Sequence, residues 1–145
     1  MGHTSIWIHL VWTTKNREPI LDQELRNKLF KHIRENAETK GIYVDFINGY
    51  LEHVHCLISL GKGQNIDNIL KLLKGESSHW INQNRFLRGK FEWQDNYFAV
   101  SVSESIVNRV RDYIKNQENH HRKKPFQEEY EEFIRNYNFN PSARG

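Results

Sequence analysis

Residues 51–60, Leu-Glu-His-Val-His-Cys-Leu-Ile-Ser-Leu, limit more than any other stretch what this chain can fold into. The run is apolar and β-branched around two histidines, and Gly61 and Gly63 end it, which predicts a buried strand. Side chains alternate along a strand, so His53 and His55 point to one face while Val54 and Cys56 point to the other. Two imidazoles held side by side are half of a metal site, or else ordinary half-buried histidines, hydrogen-bonded and inert. The His-x-His pattern alone leaves both readings open.

The surrounding chain supplies a fold for that strand. Residues 5–13 are rich in aromatic and β-branched side chains and read as a first strand, with Pro19 beyond a charged loop. Leu21, Leu25, Leu29, Ile33 and Ala37 recur every four residues, so a helix follows, with Asp22 as its N-cap and Gly41 as its stop. Residues 42–47 form a second strand, and Asn48-Gly49 reads as the hairpin turn into the His53/His55 strand. After Asn65, a cap, Ile66, Ile69, Leu70, Leu73, Ser77, Trp80 and Ile81 share one helical stripe, which Gly75 weakens without ending. Residues 82–94 are polar and basic and read as a loop. Residues 97–102 give a fourth strand, and Ser101 or Ser103 caps a helix reaching about His121, Ser101-x-x-Glu104 having capping-box spacing. The order strand, helix, strand, strand, helix, strand, helix predicts an α+β chain: a ferredoxin-like, RRM-like β-α-β-β-α-β antiparallel sheet with an additional C-terminal helix.

Length and composition fit that architecture. The chain's 145 residues suit one domain with a proper core, here taken as residues 1–124, with residues 125–145 a charged and aromatic tail able to form a short helix. A net charge of +3 and a pI near 9.0 are compatible with a polyanion partner and equally with a merely basic soluble protein. The single cysteine, Cys56, excludes a disulfide within the chain, and no segment approaches the ~18 apolar residues of a membrane span. A cytoplasmic protein with no membrane partner is expected.

The last helix completes the histidine pair. Ile106, Val110, Tyr113, Gln117 and His120 fall on one face, so an apolar stripe turns polar where burial alone would have continued with Leu or Ile. Gln117 can offer a carbonyl oxygen to a hard divalent ion beside two imidazoles, and Tyr113, one turn earlier, can place its phenol nearby. A divalent ion polarises a phosphate oxygen, and a tyrosine oxygen can then attack in line and displace a sugar hydroxyl. A phenol with a pKa near ~10 needs help to lose its proton. His120 and His121 are candidates for that base or for a phosphate contact, and equally for a basic helix end suited to the dipole.

These residues carry a resemblance. His53-Val54-His55 resembles the HUH motif, and Tyr113 to Gln117 resembles the Tyr-x-x-x-Gln helix of single-tyrosine HUH transposases, the bacterial insertion-sequence and REP-associated enzymes. Residues 73–78 and 93–97 are similar to further segments of that family, and the likeness covers about residues 5–121. The resemblance implies a catalytic domain that cuts and rejoins single-stranded DNA, often with hairpin ends, through a 5′-phosphotyrosine. It implies Mg²⁺ or Mn²⁺ and a homodimer. Carried across, His53, His55 and Gln117 would be the metal ligands and Tyr113 the nucleophile. Lys15, Arg17, Lys74, Arg85, Arg88 and Lys90 are weak candidates for phosphate contact. The competing readings are a non-catalytic single-stranded nucleic-acid-binding module on a ferredoxin-like sheet, and a phosphoesterase in which water attacks.

Overall fold

A computed structural model of the chain describes residues 4–117 together with Glu128, Glu131, Glu132 and Arg135, these four being helical. The elements in order are β1 (Trp7–Thr13), α1 (Gln23–Thr39), β2 (Tyr43–Tyr50), β3 (His53–Ser59), α2 (Ile66–Gln83), β4 (Phe98–Val102) and α3 (Val107–Lys115). Short 3-10 turns sit at Lys15–Arg17 and Glu104–Ile106. The four strands make one antiparallel sheet in the order β2-β3-β1-β4, the ferredoxin-like arrangement that the element order predicts.

Strand alternation splits the apolar residues into two cores. Ile8, Leu10, Trp12, Val54, Cys56 and Ile58 face α1 and α2, where Leu29, Ile33, Leu70 and Ile81 meet them. Val11, Leu57 and Val102 face the opposite way and are covered by Ile106, Val107, Val110 and Ile114 of the C-terminal segment. Thus α3 lies across the face that such sheets often leave open. It is fastened at its middle and at its C-terminal end. Arg111 makes a two-pronged pair with Asp45, Nε to Oδ2 at 2.6 Å and Nη2 to Oδ1 at 2.9 Å. Asn48 Nδ2 donates to the carbonyls of Ile114 and Lys115 at 2.9 and 3.1 Å, satisfying acceptors at the helix end.

Both helix caps follow expectation: Asp22 accepts from the Leu25 amide at 2.9 Å and Asn65 from the Asn68 amide at 3.1 Å. Gly41 takes φ +73°, and Gly75 lies inside α2 without breaking it.

The hairpin differs from expectation. Asn48 and Gly49 lie within β2, paired with His55 and Val54, and the two-residue turn is Leu51-Glu52. The reason is steric and polar together. A Cβ at position 49 would overlap the His53 carbonyl oxygen, so the glycine permits close strand approach and forms no turn, while the Asn48 amide is engaged by α3. Of the two caps expected for the last helix, Ser103 is the one used. Ser101 belongs to β4, and Ser103 accepts from the Ser105 amide at the 3-10 turn that precedes α3. The regular part of α3 ends at Lys115, and His120 and His121 lie outside the described residues, as does the rest of the predicted tail helix.

Gly49→Ala should destabilise the fold by about 1–3 kcal/mol, the range for forcing extra volume into a packed site. A urea unfolding midpoint equal to that of the parent would show that the strands can separate there without cost.

Candidate active site

The site forms where α3 crosses the middle of the sheet. His53 and His55 alternate with Val54 on β3, so both rings rise toward α3, with centroids 4.8 Å apart and planes at 79°. Both are completely buried. The helix period brings Tyr113 onto the underside of α3, and Gln117, just past the helix end, onto the same side, where each is at most 5% exposed. Gln117 Nε2 donates to the Tyr113 carbonyl at 3.1 Å, which turns its Oε1 toward His53 Nε2 at 3.0 Å. Tyr113 stands edge-on to His55, ring centroids 5.7 Å apart. The four residues singled out on spacing therefore meet, although His53 and Gln117 are 64 positions apart.

The donor set suits a hard divalent ion. His53 Nε2 and Gln117 Oε1 face each other at 3.0 Å, so an imidazole nitrogen and an amide oxygen are already paired as possible donors to an ion. Among the described residues there is no group of three or more His, Cys, Asp or Glu able to hold a metal. An ion here would thus depend on the Gln117 amide oxygen as well as on the imidazoles.

Two neighbours escaped the sequence reading. Glu52, in the β2–β3 turn, places Oε1 2.6 Å from His53 Nδ1. His9 of β1, diagonal to His55 across the ladder, places Nε2 2.9 Å from His55 Nδ1. Its only sequence signal was parity: position 9 shares a face with Val11. Burial pushes the His9 pKa down to about 3, so the ring is neutral across the physiological range. Cys56 points to the other core, where burial drives its thiol up to about 12 and keeps it inert.

The basic candidates do not gather at the site. Lys74 Nζ is spent on the carbonyls of Gln94, Asp95 and Asn96, at 2.7 to 3.5 Å, and burial lowers its pKa against the pull of Asp95. It clamps the approach to β4, and Trp93 Nε1 donates to Ser77 Oγ beside it at 3.0 Å. Lys15 pairs with Glu92 at 3.3 Å. Arg85, Arg88 and Lys90 are exposed on the α2–β4 connection. Arg17 alone borders a cleft of about 590 Å³ that opens beside the end of β1, lined also by Thr13, Asn96 and Tyr97. Thr13 is the ladder partner of His53, so this cleft adjoins the histidines.

Comparison with known proteins bears on this geometry. The sequence model of the family described as "Transposase IS200 like" matches residues 3–117. The ISDra2 transposase TnpA of Deinococcus radiodurans is 30% identical over 114 residues, covering 75% of this chain and 81% of that protein. A crystal structure of a candidate transposase from Deinococcus radiodurans R1 superposes with a TM-score of 0.65 at 27% identity, covering 81% of this chain and 95% of that one. The structure of a REP-associated tyrosine transposase bound to a REP hairpin shares the fold, with a TM-score of 0.61 at 16% identity over 84% of this chain and 75% of that one.

A neutral buried His9 makes stability depend on pH. The unfolded chain takes up a proton below about pH 6.5 and the folded chain does not until about 3, so His9 favours folding above 6.5 and its contribution falls as the pH drops. Its share of the loss should approach about 1.4 kcal/mol per pH unit between those values. Urea midpoints from pH 7 to 4, with an imidazole NMR titration of His9, check it; a His9 ring titrating near pH 6.5 would refute the assignment.

Proposed function

This chain belongs to the family of IS200-like transposases, and from that premise we propose that it cuts and rejoins single-stranded DNA through a covalent link to Tyr113. The observation that carries the reading is the meeting of Tyr113, Gln117, His53 and His55 in one buried patch built from two distant segments.

His53 and His55 through Nε2, and Gln117 through Oε1, would hold Mg²⁺ or Mn²⁺. A divalent ion held there would supply Lewis acidity toward a non-bridging phosphate oxygen. Tyr113 supplies the attacking oxygen. Its phenolic proton departs as the new O–P bond forms, the bond from phosphorus to the 3′ oxygen breaks, and that oxygen leaves as a hydroxyl. The DNA 5′-phosphate stays on Tyr113, so the bond energy is kept for rejoining by the reverse attack. His9 is too weak a base to take the phenolic proton, given its lowered pKa. His120 and His121 keep that role in this reading, or a phosphate contact, and lie outside the described residues.

Two features bear on how DNA arrives. The cleft bordered by Arg17 and Tyr97 gives a single strand a path toward the β1–β3 end of the site, with a guanidinium for phosphate and an exposed ring for stacking. The patch itself is buried between α3 and the sheet, so in this reading a phosphate reaches Tyr113 only once the patch is opened. A hairpin-bearing substrate and a homodimer belong to the same reading; the REP-associated relative is a hairpin complex. The face on which RNA-recognition sheets stack bases is covered by α3 here, which counts against a passive binding module.

A labelled oligonucleotide from the flanks of the coding sequence, incubated with Mn²⁺ and run on a denaturing gel, tests the proposal. A shifted, protease-sensitive band should form with the parent chain and vanish with Tyr113→Phe or with EDTA. Gln117→Ala should reduce the band by at least about tenfold, within the range for disturbing a metal's surroundings. Cleavage without a covalent band would indicate water as the nucleophile. Binding that survives EDTA with no cleavage would leave only the binding module.

A further inference from the structure

We propose that Glu52 and His9 are positioning residues, each fixing the proton on one site histidine so that both rings turn Nε2 toward a shared cation. The proposal rests on the metal reading above and deepens it.

A neutral imidazole carries its proton on one nitrogen only, and only the other can ligate. Which nitrogen is protonated is set by what each one faces. His53 Nδ1 stands 2.6 Å from Glu52 Oε1. An ionised carboxylate can only accept, so Nδ1 donates, and Nε2 then meets the equally accepting Gln117 Oε1 at 3.0 Å with its lone pair, a pairing that a cation would reconcile. His55 uses the same atom: its Nδ1 stands 2.9 Å from His9 Nε2. The two rings thus both spend Nδ1 outward on a partner, and their Nε2 atoms are the ones that a single ion could bridge. Metal-bound histidines generally donate their second N–H to a carboxylate or another acceptor, which fixes ring orientation and raises ligand basicity.

The backbone holds both partners in place. The Glu52 carbonyl accepts from the Thr14 amide at 2.9 Å, and the Leu51 carbonyl from the Leu21 amide at 2.9 Å, so the two-residue turn is pinned on both sides. Its side chain is only 19% exposed. His9 is fixed within the central strand β1 and wholly buried. A purely structural role would be satisfied by either direction of the His9–His55 bond. A positioning role requires one: His55 donating from Nδ1 and His9 accepting at Nε2. That direction is measurable.

The test uses the full chain with ¹⁵N-labelled histidine. Long-range ¹H–¹⁵N spectra of the metal-free protein should show His55 as the Nδ1–H tautomer and His53 protonated at Nδ1. In parallel, calorimetric titration with Mn²⁺ should find affinity about 10–100-fold weaker in Glu52→Ala and in His9→Phe. Glu52→Gln, whose amide oxygen still accepts from Nδ1, should recover most of the loss, and thermal melting reports whether each variant is folded. If His9→Phe does not fold, the Glu52 pair and the parent spectrum still decide. His55 found as the Nε2–H tautomer overturns the His9 role. Parent-like Mn²⁺ affinity in folded Glu52→Ala overturns the Glu52 role. A parent chain that binds no Mn²⁺ overturns instead the metal reading on which both depend.

Discussion

Everything about this site depends on α3 lying against a sheet face rather than in solvent. The sheet has two apolar faces, and among the described residues the second is closed by the underside of this short helix and the turn before it. Burial of Val107, Val110 and Ile114 supplies the attraction, while the Asp45–Arg111 pair and the Asn48 amide fix where along the sheet the helix sits. The polar residues ride on that placement. Tyr113 and Gln117 reach the histidines because apolar neighbours on the same helix have already been seated.

A buried polar cluster is stable only when its members satisfy one another. Here the contacts run from Glu52 to His53, from His53 to the Gln117 oxygen and from the Gln117 amide to the Tyr113 carbonyl, and separately from His9 to His55. Each link orients the next. The Gln117 amide faces the way it does because the last turn of α3 offers a carbonyl to its nitrogen, so the helix's own backbone aims an acceptor at the sheet. Each of these side chains is therefore held in one orientation by a neighbour, an arrangement that reduces the ordering any ligand would otherwise require.

The element order and four of the site residues were legible because they rest on local period: two along a strand for His53 and His55, four along a helix for Tyr113 and Gln117. What rested on pairing between distant segments was not. His9 sits in an apolar strand where a histidine attracts little notice, and only the β1–β3 register brings it beside His55. Glu52 is next to His53 in sequence, yet its role depends on a turn displaced from the Asn-Gly dipeptide, whose preference is overruled by strand contact at Gly49. Lys74 illustrates the opposite error: a cation suggestive of phosphate is consumed by three backbone carbonyls. Charge is visible in a sequence; what neutralises it is not.

One irregularity in β2 ties the two faces of the sheet together. Val44 pairs with Ile58 and Phe46 with Leu57, leaving Asp45 as an extra residue between them. Through that extra residue Val44 joins the core under α1 and α2, while Phe46 packs beneath α3. Without Asp45, Val44 and Phe46 would be chain neighbours on opposite faces of an unbroken ladder, so Val44 would keep its core and Asn48 its place by α3. An in-frame loss of the Asp45 codon would thus spare the register of both cores, and its cost would fall on α3, whose Arg111 would lose the carboxylate that anchors it.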